Sequence, residues 1–343
     1  MKKIFPDIVA NKRLCSRLAD EILNGSFPHA YIIEGARGTG KHTIAYRIAA
    51  ALSCERREDA AQDFPCGICR SCRRILSGNS TDVFLKGRED KATLGVDVIR
   101  EMRQDVCYAP NDDNARVFII EDAHLMTTQA QNAFLLTLEE PPPYVVFLLL
   151  CESAAALLET IRSRAPTLRT EPIDPQQIGE YLCRTRQDAA TLKQSAPAEF
   201  SELLAAANGS IGQAIALLEP KMRTPILEKR EAARQFARLC AEHRSAAEAL
   251  RLLHTIGQKR DSFSEHLQMI LLCLRDLLLC KQTESAPLCF FADRDEACAL
   301  SYRFTTPELL RLCRAVSEAD QQLHRNANIR LTVTSLAVGA GLI

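Results

Sequence analysis

Residues 35–42 read G-A-R-G-T-G-K-H, a glycine-rich segment that departs from a phosphate-binding loop at one position. In the pattern G-x-x-x-x-G-K-[S/T], backbone N–H groups surround a phosphate and the lysine, here Lys41, reaches its outer oxygens. The last position should provide a hydroxyl that binds Mg²⁺, but it is His42. Thr43 carries a hydroxyl, yet it lies about 100° further round a helix and cannot take the same place. The segment predicts a nucleotide-binding fold with a weakened metal site.

The residues on either side of this segment support the motif. Residues 30–34 are an apolar run typical of a buried strand, and residues 43–52 are alanine-rich with helical spacing. A strand, a glycine loop and a helix in this order are the context that gives the motif its meaning, whereas an ordinary glycine-rich turn needs neither flank. The candidate nucleotide-binding residues are Gly35, Gly38, Thr39, Gly40, Lys41, His42 and Thr43.

Length and charge restrict the classes of protein that this chain can belong to. Its 343 residues are enough for two or three domains. Lysine plus arginine and aspartate plus glutamate both number 43, so no overall basic field attracts nucleic acid. No apolar run approaches the roughly 18 residues of a membrane span, and the first residues are not followed by a signal-peptide core. We therefore expect a cytoplasmic protein without membrane contact.

Four cysteines are clustered shortly after the predicted helix: Cys54, Cys66, Cys69 and Cys72. Four thiolates at short spacings suit a closed tetrahedral Zn²⁺ site, which is structural rather than catalytic. Free thiols are one alternative. An iron–sulfur cluster is another, but that pattern needs a later cysteine before a proline. An independent zinc module that binds nucleic acid is disfavoured because the cluster is inserted in the nucleotide-binding fold. We predict a structural zinc module at residues 54–78.

A second apolar strand, residues 117–120, is followed by Glu121 and Asp122. In an active ATPase the first acid after such a strand helps to hold Mg²⁺ and the second polarises the attacking water. The usual order is Asp then Glu, and here it is reversed, so the shorter carboxylate stands where reach matters. We predict a remnant of a catalytic strand, with a core strand capped by solvated acids as the plainer alternative.

Two further segments resemble those of a known family. Residues 132–142, N-A-F-L-L-T-L-E-E-P-P, closely resemble the N-A-L-L-K-x-L-E-E-P-P signature of bacterial clamp loaders, and residues 160–165, T-I-R-S-R-A, resemble their T-I-x-S-R-C box. Together with the four-cysteine insert, they make the chain similar to the AAA+ clamp-loader subunits of DNA polymerase III. The resemblance implies an α/β AAA+ P-loop core with a parallel sheet and inserted zinc module, a small helical lid, and an all-α C-terminal collar domain.

The same resemblance implies how the domains are divided. The nucleotide-binding-like core is expected at residues 1–170, with the zinc module at 54–78 inside it. The lid is expected at residues 171–222, and the collar, which holds the subunits of the family together, at residues 223–343.

In this family the arginine of the S-R-C box reaches the ATP of a neighbouring subunit as a trans arginine finger. The motif match implies that role for Arg164, and a plain surface arginine in a turn is the alternative. The chain's own site departs further from the family's ATPase pattern. Cys151 and Glu152 stand where gamma-type subunits carry the threonines of sensor 1, and Gly212 stands where sensor 2 has its arginine.

These departures, beside an intact Arg164, favour a delta-prime-like subunit without autonomous ATPase activity, acting within the DNA polymerase III holoenzyme. The implied partners are gamma/tau and delta subunits in a hetero-pentamer, and the sliding clamp and primed DNA through that complex. The implied cofactors are structural Zn²⁺ and ATP or ADP bound without hydrolysis. A gamma-type subunit that hydrolyses ATP itself is the alternative, and some other AAA+ protein with a zinc insert is a third.

Overall fold

The structure, a computed structural model, describes residues 4–6, 8–59, 61–87, 93–242, 246–283, 288–325 and 327–342. The chain divides into two compact units: residues 1–173 with 210–212, and residues 174–209 with 213–343. Among the described residues, no helix is both long enough and apolar enough to cross a membrane.

The first unit is built on a parallel sheet. Its strands are β1 (Ala30–Glu34), β2 (Val83–Lys86), β3 (Arg116–Ile120), β4 (Val145–Cys151) and β5 (Thr167–Arg169). They pair in the order β2-β3-β4-β1-β5. Every residue of β3 and β4 is buried, because helices cover both faces of the sheet. In a parallel sheet the carboxyl ends of the strands lie at one edge, where ligands of open α/β folds bind.

The helices of this unit lie before the first strand and between successive strands. They are α1 (Lys12–Leu23), α2 (Lys41–Leu52), α3 (Arg70–Leu76), α4 (Val96–Val106), α5 (Thr128–Glu139) and α6 (Glu159–Arg162), with short 3-10 turns at Ala123–Leu125 and Ala154–Ala156. One apolar core holds Leu18 of α1 and Ile48 of α2, and a second holds Ile99 of α4 and Phe134 of α5. The glycine loop (residues 35–40) lies between β1 and α2.

The second unit is entirely helical in its described residues. Its helices are α7 (Pro175–Thr185), α8 (Gln187–Ser195), α9 (Pro197–Ala206), α10 (Ile211–Leu218), α11 (Pro220–Ala241), α12 (Ala246–Ile256), α13 (Arg260–Gln282), α14 (Arg294–Ser301), α15 (Thr306–His324) and α16 (Ile329–Ala340). The first two residues of α10 belong to the first unit. Leu267, Ile270 and Leu274 of α13 are buried in the unit's core.

The predicted fold class is confirmed: a parallel α/β sheet with helices of the AAA+ P-loop type, a four-cysteine segment after the P-loop helix, and a helical C-terminal region. The domain boundaries stay a prediction. Helix α11 begins at Pro220 and continues past the expected boundary between residues 222 and 223. Arg234 of α11 forms an ion pair with Glu202 of α9 at 2.5 Å, which ties the predicted lid and collar segments together.

Candidate functional site

The glycine loop has the backbone conformation that its glycines allow. Gly38 has φ of 80° and Gly40 has φ of 87°, which lie in the left-handed region that side chains disfavour. Helix α2 begins directly afterwards, at Lys41, two residues before the predicted start. The N–H groups of the first helical turn have no partner within the helix, and the N-terminal end attracts anions. The loop therefore has the backbone conformation that a phosphate site requires, and phosphate binding stays a prediction.

Two hydroxyl groups pack closely against this loop. A Cβ atom added to Gly35 would lie 1.9 Å from Oγ1 of Thr170, and one added to Gly38 would lie 2.0 Å from Oγ of Ser210. Oγ1 of Thr170 is also 2.9 Å from Oγ1 of Thr39, whose hydroxyl donates to the Ala36 carbonyl. The loop is held from both sides, and these contacts require glycine. Thr170 could not be identified from the sequence, because a single threonine after a strand is common.

Lys41 bends back over the loop. Its Nζ donates to the carbonyl oxygens of Gly35 at 2.7 Å and Ala36 at 2.9 Å. Burial lowers the pKa of Lys41, while the nearby carboxylates of Glu152 and Asp122 oppose that shift. These carboxylates favour the charged ammonium but repel an anionic ligand beside it. A phosphate would have to replace the carbonyl contacts and approach two acids.

His42 and Glu121 contact each other directly. His42 Nε2 lies 2.9 Å from Glu121 Oε1, and both side chains are partly exposed. These are the positions that would share Mg²⁺ in an active ATPase, one on the P-loop helix and one after β3. Here an imidazole and a carboxylate satisfy one another. The sequence pointed to each residue singly but not to their contact.

The other predicted residues of the site do not complete a metal shell. Asp122 follows Glu121 in the left-handed conformation, with φ of 49°, and caps a short 3-10 turn. Thr43 is exposed on α2. Cys151 ends β4 and is buried, which raises the pKa of its thiol to about 12. Glu152 is exposed, and its backbone N–H lies 3.5 Å from His124 Nδ1.

Glu34, at the end of β1, is a polar anchor that sequence reasoning missed. Its Oε1 accepts a hydrogen bond from the Ala154 N–H at 2.9 Å, and its Oε2 accepts one from Arg169 Nε at 2.8 Å. The Ala154 N–H is the main cause of a lowered Glu34 pKa. The carboxylate joins the end of β1 to the turn after β4 and to β5. It fixes the backbone that enters the glycine loop.

Arg164 lies in the turn after α6, and its recorded contacts are with Thr160 and Glu139. Its Nη1 donates to the Thr160 carbonyl at 3.1 Å, and its Nη2 lies 3.2 Å from Oε1 of Glu139, the last residue of α5. The side chain is 39% exposed. Within the described part of the chain, neither of these partners belongs to the glycine loop. The neighbouring Ala165 is fully buried, so the turn is anchored while its guanidinium faces the surface.

The four clustered cysteines come together as predicted. Their sulfur atoms all lie within 4.8 Å of one another, and the Sγ atoms of Cys66 and Cys72 are 3.9 Å apart. Tetrahedral Zn²⁺ with Zn–S bonds of about 2.3 Å separates its sulfurs by about 3.8 Å. Cys54 lies two residues beyond the end of α2, and Cys69 is the N-cap of α3. The donor set and its size therefore fit a metal ion such as zinc.

Backbone hydrogen bonds prepare these sulfurs for a cation. The N–H of Cys69 points to Cys66 Sγ at 3.3 Å, and the N–H of Cys72 points to Cys69 Sγ at 3.4 Å. Hydrogen bonding from Cys72 lowers the pKa of Cys54 to about 5, and the same contact raises the pKa of Cys72. The thiolate is the form that binds metals, so within this pair the contact places the anionic form on Cys54.

Comparison with known proteins assigns the first unit. Residues 10–174 match the family model described as "DNA polymerase III, delta subunit". These residues are a DNA polymerase III delta-subunit-like domain. The domain is homologous to gamma/tau subunits. Over 215 residues, 63% of its length, the chain is 34% identical to DNA polymerase III subunit tau of Bacillus subtilis and 32% identical to that of Escherichia coli.

These matches span 37% of the Bacillus protein and 32% of the Escherichia protein, so the chain covers about a third of each relative. Among solved structures, a gamma subunit-related protein of Thermotoga maritima superposes with a TM-score of 0.48. The sequence identity is 18%, and the superposition covers 95% of this chain and 98% of the other.

Proposed function

We propose that this chain is a delta-prime-like subunit of the DNA polymerase III clamp loader that supplies Arg164 to ATP bound on a neighbouring gamma/tau subunit. The chain itself does not hydrolyse ATP. The observation that carries this proposal is the direct contact between His42 and Glu121. A separate observation, the exposed guanidinium of Arg164, agrees with it. The homology of the first unit to delta and gamma/tau subunits supports the choice of complex.

The silence of the chain's own site follows from the residues that stand at its Mg²⁺-binding positions, His42 and Glu121. Phosphoryl transfer depends on Mg²⁺, which bridges the β- and γ-phosphates and neutralises the charge that develops there. The His42–Glu121 contact replaces a hydroxyl and a free carboxylate with a pair that needs no cation. The glycine loop and Lys41 keep their phosphate donors, so ATP or ADP binds without being hydrolysed.

Arg164 has the chemistry that a trans finger needs. A guanidinium presents a planar fork of N–H donors, remains charged at any physiological pH, and matches phosphate oxygens. In related phosphoryl-transfer systems such an arginine contributes about 10³- to 10⁵-fold to the rate. The Thr160 carbonyl already orders the side chain at the surface of the turn. A neighbour's γ-phosphate would meet a preformed donor.

In this role the chain assembles with gamma/tau and delta subunits into a hetero-pentamer, and the complex opens the sliding clamp and loads it on primed DNA. The predicted collar, residues 223–343, provides the contacts between subunits, and the predicted lid, residues 171–222, follows the core. The four cysteines would hold Zn²⁺ as a structural ion that links the end of α2 to α3, because four thiolates fill a tetrahedral shell.

A gamma-type ATPase is the second candidate. It is favoured by the identity of 30–34% to tau and gamma subunits, and by the retained Lys41 and loop glycines. In that case Mg²⁺ would separate His42 from Glu121 when nucleotide binds. The two candidates differ in which residue of this chain the ATPase activity of the complex needs.

The test is reconstitution of this chain with gamma/tau, delta and the clamp, followed by DNA-stimulated ATP turnover. Arg164→Ala should reduce turnover at the adjacent site at least about 10³-fold, whereas Lys41→Ala should change it little. Arg162→Ala is the matched control, because Arg162 is an exposed arginine of the same helical turn. A severe loss with Lys41→Ala and none with Arg164→Ala would make the chain a gamma-type ATPase.

A further inference from the structure

We infer that Glu139 is a positioning residue for Arg164: it holds the guanidinium at the surface and has to release it before the guanidinium contacts a phosphate. This inference rests on the proposed finger role of Arg164. It adds a second residue of this chain that controls the reaction on the neighbouring subunit.

The two contacts of the guanidinium differ in kind. Thr160 belongs to α6, two residues before its end, so its carbonyl contact moves with the turn that carries Arg164. Glu139 belongs to α5, and its carboxylate binds Nη2, an N–H donor that a phosphate oxygen would also use. Carboxylate and phosphate are alternative ligands of the same fork. A phosphate that binds Nη2 therefore competes with Glu139 and leaves the Thr160 contact in place.

The position of Glu139 is not explained by the stability of its own helix. It is the last residue of α5, where the helix dipole disfavours negative charge and favours a cation such as that of Arg164. Glu140, the next residue, is exposed and has no hydrogen bond or ion pair among the described residues. Of these two adjacent acids in the described part of the chain, Glu139 is the one whose carboxylate contacts Arg164.

The contact is weak enough to exchange. The Arg164 side chain is 39% exposed and that of Glu139 is 51% exposed. Ion pairs of this kind are held loosely and are screened by salt. A carboxylate that carries one charge will yield to the more highly charged terminal phosphate of ATP. Loss of the Glu139 charge should therefore make Arg164 more available, by a small factor.

The test compares Glu139→Gln with Glu140→Gln in the reconstituted complex, measuring kcat/KM for ATP at low and at high salt. Glu139→Gln should raise kcat/KM about two- to fivefold at low salt, and the gain should disappear at high salt. Glu140→Gln should have no effect. In an Arg164→Ala background, Glu139→Gln should also have no effect, because the two side chains act as a pair.

The outcomes separate this inference from the proposed function. If Arg164→Ala leaves turnover intact, the finger role is wrong. If Arg164→Ala abolishes turnover but Glu139→Gln behaves like Glu140→Gln, only the role of Glu139 is wrong. A change with Glu139→Gln that persists in the Arg164→Ala background, or a fall instead of a gain, would also overturn it. Equal melting temperatures of the variants show that folding is unaffected.

Discussion

The glycine loop and the Arg164 turn (residues 160–165) lie in the same unit, but their charged groups are paired differently. Lys41 donates to carbonyls of its own loop, and His42 contacts Glu121 across the sheet edge. Arg164 has one backbone partner and one exposed carboxylate. Lys41 and His42 therefore have partners within the chain's own site, whereas the exposed carboxylate that contacts Arg164 can be exchanged. Whether the side chains of a motif can act on a ligand thus depends on the contacts that they already make within the chain.

The order of the strands explains how one unit contains both the His42–Glu121 contact and the Arg164 turn. Strands β1 and β4 pair directly, and β3 pairs with β4, so the loop after β1 meets the acids after β3. The chain after β4 continues through a 3-10 turn into α6, which presents Arg164 beside the end of α5. The glycine loop and the Arg164 turn share no residues, so a substitution in one leaves the residues of the other unchanged and the two regions can be tested separately.

The largest effect is expected from Arg164→Lys. This change keeps the positive charge but removes the planar fork, and a lysine cannot reproduce a bidentate contact with phosphate. We expect hydrolysis at the adjacent site to fall at least about 10³-fold, nearly as far as with alanine. Single-turnover hydrolysis in the reconstituted complex measures it, with Arg162→Lys as the control. Near-normal rates with Arg164→Lys would mean that Arg164 acts only as a diffuse charge.

The next largest effect is expected from Cys72→Ser. Cys72 Sγ lies 3.7 Å from the Ala50 carbonyl of α2, so the cysteine cluster supports the helix that follows the glycine loop. We expect loss of one bound metal ion and a free energy of unfolding lower by about 3 kcal/mol. Metal analysis measures the bound ion, and chemical denaturation measures the free energy of unfolding.

Cys107→Ser is the matched control for that experiment, because Cys107 is exposed and lies outside the cluster. Hydrogen exchange should show α2 loosened more than the Arg164 turn. Wild-type protein without bound metal, equal in stability to Cys72→Ser, would rule out a structural zinc site.

A smaller effect is expected from His42→Thr. The change supplies the missing hydroxyl and frees Glu121 from its imidazole partner, so Mg²⁺ gains a ligand on each side. We expect Mg²⁺ to strengthen ADP binding about tenfold in this variant, and to have no effect in the wild type. Titration of a fluorescent ADP with Mg²⁺ or with EDTA measures the difference. His42→Ala, which removes the imidazole without supplying a hydroxyl, is the control, and wild-type binding that requires Mg²⁺ would contradict the silent-site proposal.

The glycine loop and the cysteine cluster could be predicted from the sequence, because each depends on residues that are close together in the chain. Gly38 and Gly40 are needed for a backbone with positive φ, and the cysteines are needed at short spacings, so both features can be read from adjacent residues. The contact of His42 with Glu121 depends on how β1, β3 and β4 are ordered in the sheet. No spacing in the sequence gives that order.

Contacts of exposed or single polar residues were not predictable. Glu139 lies within a motif that the sequence made visible, but nothing in that motif identifies Arg164 as its partner. Thr170 and Ser210 approach the glycine loop from distant parts of the chain. Such contacts are set by packing of the whole unit, because one hydroxyl or carboxylate carries no periodic signal.

The smallest effect is expected from Glu34→Gln, which tests how firmly the entry to the glycine loop is held. The Ala154 N–H holds the Glu34 pKa below its usual value of 4.5, so the folded state favours the carboxylate. Its stabilisation is present above about pH 4.5 and is lost as the pH falls through the lowered pKa. Wild type should exceed Glu34→Gln by at most about 1 kcal/mol at neutral pH, and the difference should vanish in acid. Urea unfolding across a pH series measures this, with the exposed Glu140→Gln as the control. A difference that stays constant below pH 4 would show that Glu34 acts through packing and not through its charge.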